Sequence, residues 1–316
     1  IFLLHMGLFA GLLTLGWYFV DQPETTENYP WAIVVLLLAL LVRCGVLPAH
    51  GWLTDLFDSS SFGNALLTIT PLTGVCAIIR LVIPIAPDWV LQSIGVISLI
   101  TAFYAAGMAT VQKDARRFFT FVFLSHASLV LVGMELATSI SVTGSLHLWL
   151  SFILSLGGFG LTLRALEARV GRLSLTRFHG LYDHSPALAV SFLLTGLASV
   201  GFPGTAGFVA LELLVDGAIQ ANPWVGVGII VTAALNGIAV LRAYFLLFTG
   251  ARHPATIPLG ITIRERIAFV TLSVLLIGAG LVPQPFVASR YRSAKSVLEQ
   301  RQQLVPSKTE VPVHSL

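Results

Sequence analysis

The sequence predicts an all-α integral membrane protein with about nine transmembrane helices, two of them broken, near Pro48 and near Pro203. Hydrophobic residues make up 56% of the 316 residues and charged residues only 10%, with a mean hydropathy of +0.87. Soluble globular chains carry about 25% charged residues. Long apolar windows recur along the whole chain, and a proline interrupts two of them.

The apolar windows are long enough to cross the hydrocarbon core of a bilayer, which is about 30 Å thick. The first window has no charged segment before it, so we expect a membrane span whose upstream sequence is missing, not a signal peptide. Residues 289–316 are polar and predict a short helix that frays into a disordered end. The windows are 1–20, 31–49, 62–86, 89–111, 117–136, 143–166, 186–218, 224–249 and 266–288.

The apolar run 186–220 would be roughly 50 Å long as one straight helix, which exceeds the bilayer core. Pro203 removes a backbone donor and Gly204 loosens the chain beside it, so we expect a break there. Glu212 and Asp216 follow at a spacing that puts both carboxylates on one helix face. A broken helix with acids at membrane depth is typical of a transport pathway. The alternative is a helix–loop–helix corner with Asp216 at the water interface.

The second apolar window, 31–49, carries Arg43 and then Pro48, which ends or kinks the helix. A cation inside a span is unfavourable unless it is paired or hydrated, so Arg43 is a candidate for a buried pair or a functional role. Cys44 and Cys76 lie in apolar runs, and we expect them to pack as small hydrophobes.

Positive charge alternates along the connections between windows. Residues 112–117, 164–185 and 250–266 hold groups of Lys and Arg, whereas 21–30 and 219–223 hold neither. The positive-inside rule makes the three basic connections cytoplasmic. The N-terminus is then also cytoplasmic and the tail lies outside, although the tail is itself basic.

Five phrases of this sequence resemble, in order and at matching spacing, those of the antiporter-like membrane subunits of respiratory complex I. Subunits of the same family also occur in Mrp-type sodium/proton antiporters and in membrane-bound hydrogenases. The phrases are Arg43 with Pro48-Ala49-His50-Gly51-Trp52-Leu53-Thr54-Asp55, Gln112-Lys113-Asp114-Ala115-Arg116-Arg117 with Ser125-His126-Ala127-Ser128, Gly201-Phe202-Pro203-Gly204-Thr205-Ala206-Gly207-Phe208, Arg242-Ala243-Tyr244-Phe245, and Leu281-Val282-Pro283-Gln284-Pro285.

The resemblance implies a fold of two inverted five-helix repeats, of which this chain lacks the N-terminal helices. Residues 1–288 would form the antiporter-like transmembrane domain, followed by the polar tail. Within that domain, 1–86 would be a remnant of the first repeat, 89–249 the second repeat and 266–288 the final helix.

The resemblance also implies a function, namely translocation of protons, or exchange of sodium for protons, in a complex I-like or Mrp-like assembly. Its partners would be other membrane subunits and the lipid bilayer, with no nucleic acid and no cofactor, in a bacterial inner membrane. We find no catalytic motif, so any NADH-quinone oxidoreductase chemistry would belong to other subunits.

The family moves protons along lysines, a histidine and a glutamate at the membrane midplane, and this sequence departs from that pattern. Arg43 replaces a lysine and, since it stays charged, is a poor relay. The Lys or Glu position of the second broken helix falls on Leu211, with Glu212 one residue along. The remaining candidates for an ion pathway are Arg43, His126, His147, Glu212 and Asp216.

Asp114, Arg116 and Arg117 predict a cytoplasmic ion-pair cluster, or else a contact with a neighbouring subunit. Two alternatives to ion translocation remain open from sequence. The missing lysines favour a degenerate structural subunit that conducts little. Close relatives of the fold also serve as membrane energy-coupling partners in inorganic carbon uptake.

Overall fold

The computed structural model describes residues 1–20, 29–69, 73–251 and 260–304, and these are helical apart from short connections. One π-helical turn is present, at Ile78–Val82. The α-helices are α1 Phe2–Val20, α2 Tyr29–Cys44, α3 Gly51–Ser59, α4 Phe62–Ile69, α5 Thr73–Ala77, α6 Asp88–Val111, α7 Ala115–Glu135, α8 Ser139–Val170, α9 Pro186–Ser199, α10 Ala206–Ala221, α11 Pro223–Phe248, α12 Ile263–Leu281 and α13 Gln284–Leu304.

The all-α prediction is confirmed. Among the described residues, six helical stretches are long and apolar enough to cross a membrane, namely α1, α6, α7, α8, α11 and the stretch Phe62–Val82 that includes α4 and α5. The number is seven if the bent pair α12 and α13 forms one span. Trp31–Cys44 and Pro186–Ser199 are shorter apolar helices. Each of these two helices is the first part of a broken span. Counting the two broken spans together with the seven stretches gives the predicted number of about nine.

The last predicted window, 266–288, differs from the structure. α12 ends at Leu281, and the chain turns by 77° into α13. α13 has 21 residues, so the polar tail forms a longer helix than the sequence predicted. The Arg301 guanidinium is buried between this helix and the loop before α6, where it donates to the carbonyls of Ile83 and Ala86. Residues 305–316 of the tail lie outside the described residues.

The first break separates α2 from α3. Gly45 adopts φ 72°, a left-handed conformation that favours glycine. The indole N–H of Trp52 donates to the Val42 carbonyl at 2.9 Å, and the Leu47 N–H donates to the Thr101 hydroxyl at 3.2 Å. Side chains from α3 and α6 thus replace hydrogen bonds that the interrupted helix gives up.

The second break separates α9 from α10. Gly201 and Gly204 have φ values of 84° and 85° around Pro203, which a β-carbon would disfavour. α12 covers this break, because Gly280 approaches the backbone of Gly204 and Thr205 so closely that an added β-carbon would collide with it.

The core is built around α7, whose residues from Phe118 to Met134 are all buried. α8 packs beside it and also meets α10 backbone to backbone. A β-carbon on Gly144 would lie 2.6 Å from the Leu214 nitrogen, and one on Gly217 would lie 2.6 Å from the Ser141 nitrogen. Small residues at such positions allow membrane helices to approach closely.

The described parts of the three basic connections meet at one end of the protein, hereafter the basic end. The Ala115 N–H donates to the Leu173 carbonyl at 3.0 Å, and the Arg169 guanidinium pairs with Glu265 at 2.6 Å. The four N–H groups of residues 179–182 donate to the carbonyls of residues 246–249 at the end of α11. Residues 252–259 lie outside the described part. That the basic end is cytoplasmic stays a prediction from charge.

Candidate ion pathway

His126 lies in the middle of α7 and is 2% exposed. Its two ring nitrogens are each 2.8 Å from a carbonyl oxygen, Nδ1 from Val122 and Nε2 from Ser199. A neutral imidazole has one N–H and donates to one of these carbonyls, whereas the protonated ring donates to both. His126 therefore sits where a proton can be held by the backbone.

The Ser199 carbonyl belongs to the last residue of α9, where the second break begins. The final carbonyls of a helix lack intrahelical partners and carry the negative end of its dipole. The break around Pro203 and Gly204 thus presents an acceptor to His126. Discontinuous helices in membrane transporters place unpaired carbonyls at ion sites in this way.

His147 lies on α8 and is 1% exposed. Within the described residues, neither of its ring nitrogens has a hydrogen-bond partner, and the Ser151 hydroxyl one turn along is also unpartnered. Buried polar atoms in native proteins nearly always find a partner in protein or ordered water. The polar face that His147 and Ser151 share therefore predicts bound water along this part of α8.

Further buried polar atoms without a protein partner in the described region occur on α6, α7, α8 and α11. Asn236 of α11 lies close to His126, because its amide donates to the hydroxyl of the neighbouring residue Ser125 at 2.8 Å. The side-chain carbonyl oxygen of Asn236 lacks a partner among the described residues. Ser125 in turn donates to the Ala102 carbonyl of α6 at 2.9 Å. The other unpartnered atoms among the described residues are the hydroxyls of Ser98, Ser128 and Ser145, the Trp149 indole nitrogen and His50 Nδ1.

Arg43 is half-buried at the end of α2, with its guanidinium carbon 5.6 Å from the centroid of the Trp52 ring. Over the described ranges, no carboxylate lies within 4.0 Å of it. Stacking on the indole face stabilises the cation there. Arg43 therefore contacts α3 through Trp52, whereas His126 and His147 lie on α7 and α8.

Glu212 and Asp216 share one face of α10, and both are exposed. Asp216 accepts from the Gln220 amide at 3.1 Å. The opposite face of α10, which includes Gly207, Leu214 and Gly217, contacts α8 and the end of α9. The structure thus directs the two acids away from the histidines, while Leu211, at the family's charged position, packs against Gly201.

Asp114 caps the start of α7, since its carboxylate accepts from the backbone N–H groups of Arg116 and Arg117 at 2.8 and 3.2 Å. The two guanidinium groups pair with other acids: Arg116 with Glu167 and Arg117 with Asp58, each at 2.8 Å. Arg116 also donates to the carbonyls of Phe57, in the last turn of α3, and of Ser60, which follows the helix. The group therefore ties α3, α7 and α8 together at the basic end.

Sequence reasoning missed Glu135, which ends α7 at the end of the protein opposite the basic connections. Its carboxylate lies directly against Gly95 and lines a cavity of about 580 Å³ together with Asp88, Gln92 and Asn222. One signal was available, because Glu135 is the only acid inside the predicted window 117–136.

Broken helices and helix-end carbonyls that face the interior are features that this chain shares with helical membrane proteins of the transporter type. Comparison with known proteins is more specific. A family model described as NADH:quinone oxidoreductase/Mrp antiporter, TM, matches residues 9–236. The chain belongs to this family and is an integral membrane protein with an antiporter-like fold.

Similar proteins occur in several multi-subunit membrane complexes. Subunit 13 of the NADH-quinone oxidoreductase of Thermus thermophilus is 29% identical over 229 residues, which cover 71% of this chain and 49% of the relative. Subunit M of the Pseudomonas aeruginosa enzyme is 25% identical, and the match covers 87% of this chain and 55% of the relative. The chain thus spans about half the length of the curated relatives it matches.

Solved structures agree on the fold. A chain of the Mrp complex from a Dietzia species superposes with a TM-score of 0.84 at 20% identity, covering 96% of this chain and 68% of that one. A chain of respiratory complex I from Thermus thermophilus with bound NADH gives 0.79 at 25% identity, covering 94% and 66%.

Proposed function

We propose that this chain forms the proton-translocating part of an antiporter-like subunit in a complex I-like or Mrp-like membrane assembly. The single observation that carries the proposal is His126, whose ring bridges α7 to the free carbonyl of Ser199 at the second break. A proton at mid-depth needs a titratable group and fixed dipoles, because an unsolvated charge there is strongly unfavourable.

In this proposal His126 binds a proton between the Val122 and Ser199 carbonyls and releases it into the hydrated interior. Asn236 and Ser125 connect that position to α6 and α11. His147 and Ser151 extend the hydrated face along α8. Arg43 is a fixed positive charge, which repels the moving proton and does not relay it. The vesicle assay described below, run with and without sodium, tests whether sodium replaces the proton.

The repeat assignment belongs to this proposal. Residues 1–86 correspond to part of a first repeat and 89–249 to a second repeat. The segment 266–288 corresponds to a final helix, which α12 provides as far as Leu281. Glu212 and Asp216, on the exposed face of α10, need polar partners from outside that face, and a neighbouring membrane subunit in the bacterial inner membrane would supply them.

The test is His126→Gln in the assembled complex, with proton uptake into membrane vesicles followed by a pH-sensitive dye. Glutamine keeps a donor and an acceptor but cannot take up a proton. We expect transport to fall by about 100-fold, the lower range for loss of a proton-transfer group. His5→Gln on α1 is the matched control and should transport normally, because the His5 imidazole is hydrogen-bonded to the nearby Ile1 carbonyl and not to any interior helix of the described structure.

A structural subunit with little conduction is the second candidate, and one observation favours it: both acids of α10 face away from the interior histidines. The same vesicle assay separates the two candidates. Normal assembly with unchanged transport in His126→Gln would reject the conducting role and leave the structural one.

A further inference from the structure

A groove of about 470 Å³ at the basic end takes no part in the proposed pathway. It lies between the end of α6, the connection after α8 and the last turns of α11. It includes Arg242, from a phrase that the sequence singled out and that the proposed function does not use. Its lining residues are Val111, Lys113, Leu175, Thr176, Phe178, Arg242, Phe245 and Leu246.

Two cations line this groove, and neither is neutralised by an acid. Across the described residues, no carboxylate lies within 4.0 Å of Lys113 or Arg242. The Arg242 guanidinium donates to the carbonyls of Gln112 and Leu175 at 3.2 and 3.3 Å. A guanidinium has five N–H donors, so donors remain for a further acceptor.

The nearest acid along the chain, Asp114, has its carboxylate engaged elsewhere. One oxygen accepts the backbone N–H groups that begin α7, and the other lies 4.0 Å from Arg172. The groove therefore keeps a net positive character, which suits an anionic ligand.

The walls of the groove are apolar and open to the surroundings. Phe178 is 60% exposed, Phe245 53% and Val111 62%. Exposed side chains continue from Phe245 along α11 at helical spacing through Leu241 and Ile238. A ligand with a negative head and a hydrocarbon chain matches both features, whereas a free phosphate would leave the apolar walls uncovered.

The groove is held in shape by backbone hydrogen bonds. The Leu175 N–H donates to the Lys113 carbonyl at 2.7 Å, and residues 179–182 close the end of α11. The same bonds satisfy the last carbonyls of α11, which would otherwise repel an anion. The site is therefore organised before any ligand binds.

We propose that this groove binds an anionic phospholipid, with its phosphate between Lys113 and Arg242 and an acyl chain along α11. Basic pockets between membrane helices at the cytoplasmic side are suited to anionic headgroups. The proposal does not depend on proton translocation, because none of these residues belongs to the proposed pathway.

The test measures retention of dioleoylphosphatidylglycerol and dioleoylphosphatidylcholine by the detergent-purified assembly, using native mass spectrometry. We expect the anionic lipid to be retained in preference to the zwitterionic one. Lys113→Gln should weaken that preference about fivefold, as expected for one cation near a headgroup. Lys113 is exposed, so this variant should fold, and Lys113→Arg should restore retention.

Arg264→Gln is the matched control, since Arg264 is an exposed cation at the same end but outside the groove. It should retain the anionic lipid as the unmodified protein does. Equal retention of both lipids, or an equal loss in the two glutamine variants, would overturn the proposal. Displacement of the lipid by glycerol 3-phosphate at equal concentration would also overturn it, because a phosphate site would then explain the binding.

Discussion

His147, in the first third of α8, is a buried side chain that the described protein groups leave without hydrogen bonds. A polar group in this state is unfavourable to folding unless water reaches it. We interpret this position as a hydrated part of the polar face that His147 and Ser151 share on α8.

We therefore expect His147→Leu to separate stability from transport. Leucine removes an unpartnered polar group, so the thermal unfolding midpoint in detergent should stay the same or rise. Proton transport in vesicles should fall about tenfold or more, because a hydrated relay position is lost. A variant that transports normally would show that water near His147 is not part of the route.

At the level of helices, the contact between α8 and α10 depends on glycine. Gly144→Ala should lower the free energy of unfolding by about 1–3 kcal/mol, because the new methyl group would meet the α10 backbone. Gly157→Ala on the same helix is the control, since a β-carbon there meets nothing within 4 Å. It should be neutral or slightly stabilising through helix propensity. Chemical unfolding of both variants in one detergent provides the comparison.

α13 is anchored by Arg301, which pairs with Asp88 at 2.6 Å besides donating to the two loop carbonyls. Arg301→Met should release the end of α13, because the Ile83 and Ala86 carbonyls and the Asp88 carboxylate lose their cation. Trypsin should then cut faster after Arg290 and Arg292.

Lys295→Met is the control for this experiment. Lys295 is exposed and forms a surface pair with Glu299 at 3.7 Å, and such pairs contribute at most about 1 kcal/mol. Cleavage at the same rate in both variants would mean that Arg301 does not hold α13 in place.

The sequence was sufficient to predict most of the helices and the breaks near Pro48 and Pro203, for definite physical reasons, but not the turn from α12 into α13. Pro48 and Pro203 cannot continue a helix, and hydrophobic runs of membrane length have few alternatives to helix formation. The direction of Glu212 could not be predicted in the same way. α10 is apolar on most of its circumference, so its sequence does not reveal which face meets α8.

Partners distant in sequence account for other unpredicted features. Arg301 finds its acceptors more than 200 positions away, and His126 finds Ser199 only because α7 and the second break pack together. Local patterns contain no information about such contacts. Glu135 is a different case, since a lone acid in an apolar window was visible but gave no sign of its cavity.

The arrangement of the whole chain gives a test of orientation. Arg177→Cys, in a background lacking the exposed Cys76, should react with a membrane-impermeant maleimide in inside-out vesicles only. The basic connections are expected to face the cytoplasm. Ala221→Cys, exposed near the opposite end, should react in right-side-out vesicles only. The reverse pattern would invert the assigned topology.

α8 has 32 residues, so it is about 48 Å long and exceeds a hydrocarbon core of about 30 Å. Glu167 and Arg169, in its last turns, pair with Arg116 of α7 and with Glu265. In a bilayer, tilt would absorb part of the excess and these last turns would stand among the lipid headgroups. Hydrophobic mismatch in a thicker or thinner bilayer would therefore be absorbed at this projecting end. The spacing between His126 and Ser199, deep in the protein, would be insulated from membrane thickness.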